Sequence, residues 1–146
     1  MTRTRHDRLL TLAFLVAFVA VELSAAAAFA RPRRDRDGTR LQAKRANLDK
    51  AQKDSLSGEG DVHDWRFLEV DSAGTLNVSV DFKPLGSALT LQVTNAKGDV
   101  VAEVSKGEGK RALSVQTTPG IYYVHVGLTD DDKANKADYT ITMSIK

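Results

Sequence analysis

The C-terminal two thirds of the chain alternate between apolar and polar residues. The alternation is most regular in residues 76–82 and again in residues 139–145. A period of two over such a length is typical of a β-strand with one buried face. The apolar positions of the two segments are Leu76, Val78, Val80 and Phe82, followed by Tyr139, Ile141, Met143 and Ile145. We predict two strands whose apolar side chains face a common core.

Shorter segments with the same period lie between and before these two strands. They are residues 65–70, 89–93, 100–104, 113–116 and 121–128. Turn-forming residues at 95–98 predict a hairpin between the second and third of these segments. About seven to eight short strands without a helical pattern between them predict an all-β fold, an antiparallel β-sandwich, with a barrel as the alternative.

Residues 1–30 have the three-part pattern of a secretory signal peptide. Three arginines precede an apolar run at residues 9–21, and the segment ends in Ala28-Phe29-Ala30, with small residues at the first and third of these positions. The run is shorter than the roughly 20 residues that a spanning helix needs, so an uncleaved anchor is the less favoured alternative. The chain contains no cysteine, which excludes a lipid-anchored lipoprotein. We therefore expect an exported bacterial protein, periplasmic or extracellular.

The net charge of +2 conceals two oppositely charged parts. Residues 31–55 carry a net charge of +5, whereas residues 56–146 carry a net charge of −4. We call residues 31–55 the basic arm and expect one β-sandwich domain over residues 56–146. The arginines at the start of the arm are Arg31, Arg33, Arg34, Arg36 and Arg40.

This composition predicts disorder to about residue 39, because so charged a segment cannot bury itself. Intrinsic propensity favours a helix over residues 40–54, although its apolar stripe is thin. The arm is either a solvated helix or linker, or a cationic tether for anionic polymers, lipid head groups or an acidic partner. We expect contact with membranes only through surface charge, and no nucleic-acid binding, because the folded part is acidic.

Several segments, in order, resemble the bacterial pre-peptidase C-terminal domain. They are the Ser-Gly pair at 57–58, the Asp-Val-His-Asp-Trp run at 61–65, residues 74–78, residues 88–91 with the 95–98 turn, the Pro-Gly-Ile-Tyr-Tyr-Val-His-Val run at 119–126, and residues 139–141. The resemblance covers residues 56–146. It implies a jelly-roll-like β-sandwich of secreted bacterial proteins, an accessory module that acts in secretion or binds polymers such as collagen or chitin.

The resemblance also implies a possible calcium site, because some members of the family bind calcium. They use an acidic stretch upstream of the domain and aspartates before the first aromatic residue, which Asp61 and Asp64 match here. The upstream stretch of this chain supplies only Asp49 and Asp54. Calcium prefers six to eight oxygen ligands, so two aspartates make at most a weak site. We expect turn and cap roles for Asp61 and Asp64, and no cofactor.

A second acidic cluster lies between the last two strands. It comprises Asp130, Asp131, Asp132, Asn135 and Asp138. The spacing does not fit an EF-hand loop. We expect a solvated loop that protects a strand edge from pairing.

Four ring residues occupy the outward phase of two predicted strands. Trp65 and Phe67 alternate with Leu68 and Val70, and Tyr123 and His125 alternate with Tyr122 and Val124. If the two strands are neighbours, Trp65, Phe67, Tyr123 and His125 gather on one face, where rings stack on sugars or peptides. The alternative is that these rings are buried, under the arm or in a second layer of core.

No catalytic constellation is present in the sequence. After removal of the leader only His63 and His125 remain, without a cysteine nucleophile or a serine in a nucleophile-elbow context. We predict a secreted, non-enzymatic binding module for a polysaccharide, a matrix polymer or an envelope partner protein. The alternative is a structural or assembly component of the cell envelope that acts by protein–protein association.

Overall fold

The computed structural model describes residues 36–83, 89–105, 110–129 and 136–146. The predicted signal peptide and Arg31, Arg33 and Arg34 lie outside these residues, as do positions 130–135 of the second acidic cluster. The described strands are β1 (Lys44–Arg45), β2 (Gln52–Ser57), β3 (His63–Val70), β4 (Gly74–Lys83), β5 (Leu89–Asn95), β6 (Val100–Val104), β7 (Lys110–Thr117), β8 (Gly120–Leu128) and β9 (Lys136–Ile145).

The strands form two sheets. Sheet A has the order β1-β3-β8-β5-β6, and sheet B has the order β2-β9-β4-β7. All described pairings are antiparallel except that between β1 and β3. The predicted antiparallel β-sandwich is therefore confirmed, and β5 and β6 form the predicted hairpin.

The core lies between the sheets and is built by the apolar phase of each strand. Val78 and Val80 of β4 are each 1% exposed, and Ile141 of the neighbouring β9 is fully buried. The residues between them, such as Ser79 and Thr142, face outward and pair across the two strands. Burial of each aliphatic side chain contributes about 1.5 to 3 kcal/mol to the free energy of unfolding. The apolar residues of the alternating pattern are therefore the main source of stability.

The predicted helix over residues 40–54 is wrong. The described structure has one turn of 3-10 helix at Arg40–Gln42, followed by β1 and the start of β2. Strand β2 pairs with β9 along its whole length and buries Leu56 in the core. A thin apolar stripe gives an isolated helix little to bury, so tertiary pairing with β9 overrides the helical propensity.

The expected disorder up to residue 39 is also wrong for its last part. Asp37 is fully buried, and its carbonyl oxygen accepts a hydrogen bond of 2.9 Å from the backbone N–H of Trp65. Residues from Asp37 onward therefore follow the edge of β3, and the folded part begins upstream of residue 56.

The turn that closes the β5–β6 hairpin is held by one side chain. The Oδ1 atom of Asn95 accepts hydrogen bonds from the backbone N–H groups of Lys97, Gly98 and Asp99, at 2.9 to 3.0 Å. Gly98 has a φ of 98°, a conformation that other residues rarely adopt. The turn chemistry read at residues 95–98 thus has a direct structural basis.

Replacing a core valine by a charged residue tests the inward phase of β4. We expect Val78→Asp to lower the free energy of unfolding by about 4 kcal/mol, because it removes apolar burial and places an unpaired carboxylate between the sheets. Ser79→Asp, at the next position of the strand but on its outer face, is the matched control and should change stability little. Chemical denaturation measures both, and equal stability of Val78→Asp and the parent would contradict the assignment.

Candidate functional site

The outer face of sheet A brings the four predicted ring residues together. Strands β3 and β8 are neighbours, and their register places Trp65 opposite His125 and Phe67 opposite Tyr123. All four side chains are half-buried, neither enclosed in the core nor fully in solvent. We call these four residues the aromatic face.

The closest contact on this face is between an indole and an imidazole. The rings of Trp65 and His125 are stacked, with centroids 4.3 Å apart and an interplanar angle of 17°. His125 Nε2 also lies 3.2 Å from Nδ1 of His63, a hydrogen bond whose direction depends on the tautomer. Burial, and secondarily the nearby His63, lowers the pKa of His125 to about 4, so its imidazole is uncharged at neutral pH.

A glycine allows the two histidines to meet. Gly127 of β8 lies opposite His63 in the register, two residues after His125. A Cβ atom at Gly127 would stand 2.8 Å from Cε1 of His125 and 3.1 Å from Nδ1 of His63. A larger residue would therefore push the imidazoles apart.

One arginine of the basic arm lies on the aromatic face. The guanidinium carbon of Arg40 is 5.2 Å from the centroid of the Tyr123 ring, within the range of a cation–π interaction. Arg40 also reaches the β5–β6 turn, because a Cβ atom at Gly98 would be 2.6 Å from its Nη1. Arg36 is exposed. The arm thus adds positive charge beside the rings.

A second group of polar residues is buried at one end of the core, between the sheets. Tyr139 of sheet B donates a hydrogen bond of 2.5 Å to Oδ2 of Asp64 in sheet A. Arg66, also of sheet A, donates one of 2.6 Å to Oδ2 of Asp54 in sheet B. Asp37, Asp54 and Asp64 form a carboxylate cluster, in which one oxygen from each residue lies within 4.8 Å of the others.

The environment of the carboxylate cluster changes its proton affinity. Burial raises the pKa of Asp64 to about 8, and the nearby Asp37, Asp54 and Asp61 act in the same direction, against the hydrogen bond from Tyr139. Burial and the neighbouring Asp64 also raise the pKa of Tyr139. The neutral form of Asp64 is therefore favoured up to about pH 8.

The two aspartates singled out in the sequence lie in different environments. Asp61 is half-buried in the turn before β3 and forms an isolated bridge with Ser57. Asp64 is 1% exposed, and no donor among the described residues reaches its Oδ1. The expected turn or cap role therefore does not apply to Asp64, because this residue is in the inward phase of β3.

The carboxylate cluster has the spacing of a cation site, but it already faces two cationic side chains. Lys44 Nζ lies 3.0 Å from Oδ2 of Asp37 and 3.7 Å from Oδ2 of Asp54, and Arg66 contacts Asp54 as well. Calcium needs six to eight oxygen ligands at 2.3–2.6 Å. With the ammonium of Lys44 between two of the three carboxylates, the donor set does not fit a calcium ion.

The sequence analysis missed most of this buried group. Asp37 and Lys44 lie in the basic arm, and Tyr139 was expected to be an ordinary core residue. One signal was available, because Asp64 and Arg66 share the inward phase of Leu68 and Val70. Two opposite charges in the buried phase of a strand indicate a buried polar network, since isolated charges are rarely buried.

The second acidic cluster is described only at Asp138. This residue is exposed on β9 and is paired in register with Ser55 on one side and Lys83 on the other. It therefore lies on a central strand of sheet B, and the loop role expected for the rest of the cluster remains a prediction.

The sequence matches no protein-family model and no curated protein. The structure is similar to the crystal structure of the pre-peptidase C-terminal domain of a collagenase from Bacillus anthracis, with 24% identity and a TM-score of 0.62. The match covers 70% of this chain and 94% of that domain.

Two further solved structures share the architecture at a TM-score of 0.50. PliG of Aeromonas hydrophila, a periplasmic inhibitor of g-type lysozyme, has 12% identity, with coverage of 71% of this chain and 96% of that one. A Yersinia pseudotuberculosis-derived mitogen has 8% identity, with coverage of 66% and 85%. At these identities the comparisons show the fold, so the chain has the β-sandwich of a pre-peptidase C-terminal domain, as the resemblance implied.

Among the residues that the structure describes, no helix has the length and apolar character that crossing a membrane requires.

The raised pKa of Asp64 predicts a pH dependence of stability. Between about pH 4 and about pH 8 the folded protein keeps a proton on Asp64 that the unfolded chain has lost, so this residue should lower the free energy of unfolding as pH rises through this range. The lowered pKa of His125 acts in the opposite direction between about pH 4 and the ordinary pKa of 6.5, so the net fall should be measured above pH 6.5. Asp64→Asn imitates the neutral acid and should remove this fall. Urea denaturation at several pH values measures the effect.

The control for this prediction is Asp71→Asn, which changes an exposed aspartate directly after β3. It should keep the pH profile of the parent. If Asp64→Asn also keeps that profile, Asp64 is charged in the folded protein at neutral pH and the assignment is wrong.

Proposed function

We propose that the protein is an exported, non-enzymatic module that binds a polymer, a polysaccharide or a matrix protein, through its aromatic face. The observation that supports this proposal is the convergence of Trp65, Phe67, Tyr123 and His125 on adjacent strands of one sheet. The bound polymer would lie along the outer face of sheet A.

The chemistry of the face suits stacking against sugar rings or extended peptide. Planar rings bind such ligands through their flat surfaces, and a half-buried ring has little conformational freedom left to lose. His125 contributes an uncharged ring at neutral pH, so the Trp65–His125 stack carries no charge that a ligand would have to desolvate. Arg40, beside Tyr123, adds an attraction for anionic groups of the polymer.

The fold supports a binding role rather than catalysis. The similar structures include a non-peptidase domain of a collagenase and a periplasmic inhibitor of g-type lysozyme, and the inhibitor is named for its action on another protein. The predicted signal peptide and the periplasmic location of the similar inhibitor both support export. We therefore propose that the protein acts in the periplasm or outside the cell.

Removal of the indole tests the proposed binding face. Sedimentation with insoluble chitin and with collagen fibrils measures the affinity for each polymer. For the polymer that the parent protein binds, Trp65→Ala should weaken the affinity by about tenfold, the equivalent of one lost stacking contact. Gln116→Ala, on the outer face of sheet B, is the matched control and should bind as the parent does. Equal melting temperatures of the variants would show that Trp65→Ala remains folded.

Two outcomes would contradict the proposal. Unchanged binding by folded Trp65→Ala would remove the aromatic face as the binding surface. If the parent binds neither chitin nor collagen, the proposed polymer binding is contradicted and a partner protein is favoured as the ligand.

A second candidate function is self-association or assembly at the cell envelope. The observation that favours it is the edge strand β6, where Val100 is 52% and Val101 is 42% exposed. The register between β5 and β6 shifts beside these residues, and such an irregularity discourages direct strand addition. Association at this edge would therefore use the apolar side chains rather than the backbone.

A charge on this edge tests the second function. If the protein associates through β6, sedimentation velocity at increasing concentration should show oligomers of the parent, and Val101→Lys should remain monomeric because a desolvated ammonium opposes the contact. Ser114→Lys, on the outer face of β7, is the control. A monomeric parent at all concentrations would contradict self-association.

A further inference from the structure

Three aspartate side chains meet between the two sheets. Asp37 and Asp64 are almost completely buried, and Asp54 is 20% exposed. One oxygen from each lies within 4.8 Å of the other two. The negative charges of Asp37 and Asp54 repel each other in a low-dielectric interior, so the folded state requires compensating positive charge beside them.

Lys44 lies where a bridging cation would be expected. Its Nζ is 3.0 Å from Oδ2 of Asp37 and 3.7 Å from Oδ2 of Asp54, so it spans two of the three carboxylates. Strand β1 places it there, because Lys44 pairs in parallel register with Arg66, whose guanidinium contacts the same oxygen, Oδ2 of Asp54, at 2.6 Å. An ammonium group and a metal ion cannot occupy this position together.

We propose that the ammonium group of Lys44 is the resident cation of the carboxylate cluster, in place of a divalent metal, and that its loss turns the cluster into a calcium site. The donor chemistry supports both halves. Carboxylate oxygens are hard donors that accept hydrogen bonds from an ammonium and also coordinate calcium. The side chain of Lys44 is 41% exposed, so its removal would open a solvent path to the cluster. This inference does not depend on the proposed binding function.

Removal of the ammonium tests the proposal. The melting temperature of the purified protein is measured in a chelator and in millimolar calcium. The parent should melt at the same temperature in both solutions. Lys44→Ala should melt at a lower temperature in the chelator and regain about 4 °C or more in calcium, because a ligand that binds only the folded state stabilises it.

Three variants control the test. Arg45→Ala removes a positive charge from the same strand, but its partner is the exposed Glu69 at 3.1 Å, so it should show no calcium response. Lys44→Arg keeps a cation and should remain independent of calcium. Lys44→Ala combined with Asp64→Asn removes one carboxylate and should lose the response of Lys44→Ala.

The outcome is decisive even if Lys44→Ala is unfolded without metal. In that case, recovery of the β-sheet circular dichroism spectrum on addition of calcium would support the proposal, and a chain that stays unfolded would overturn it. A calcium-dependent melting temperature of the parent would overturn it, as would a folded Lys44→Ala variant that calcium does not stabilise.

Discussion

The hydrogen bond from Tyr139 to Asp64 and the ion pair of Arg66 with Asp54 each join one sheet of the sandwich to the other. Apolar packing between the sheets is non-directional, so by itself it stabilises their contact but does not fix the position of one sheet relative to the other. A buried charge is tolerated only with its partner in position, because its desolvation is costly when the partner is absent. The polar end of the core therefore also determines where the N-terminal segment enters, since Asp37 and Lys44 come from that segment.

The two outer faces of the sandwich have different chemistry. On sheet B the outward residues are mostly polar and several bond to one another, as Ser114 does to Asn77 and Gln116 does to Thr75. On sheet A the outward phase of β3 and β8 carries rings instead. Because the apolar residues of the core occupy alternate positions of each strand, the residues between them do not pack into the core. A difference in function between the faces can therefore arise without a change of fold.

The segment between residues 37 and 57 shows where local preference and tertiary structure disagree. The composition of residues 40–54 favours a helix, yet Lys44–Arg45 and Gln52–Ser57 are in strands. A strand at this place satisfies the backbone groups of β9 and brings Asp54 directly opposite Tyr139. A helix could not supply either contact, because its backbone groups bond within the helix itself.

From the sequence alone, the period-two alternation determined strands β3 to β9 and the turn at Asn95, and it determined the inward and outward phase of these strands except at the start of β6, where Val100 is 52% exposed. These features depend on neighbours within one strand, so a single chain segment carries the information. Only the tertiary structure decided that Trp65 stacks on His125, that β1 and β2 complete the sheets, and that Asp37, Asp54 and Asp64 meet around Lys44. Those contacts join residues far apart along the chain, and the charge of a residue does not indicate which distant partner will neutralise it.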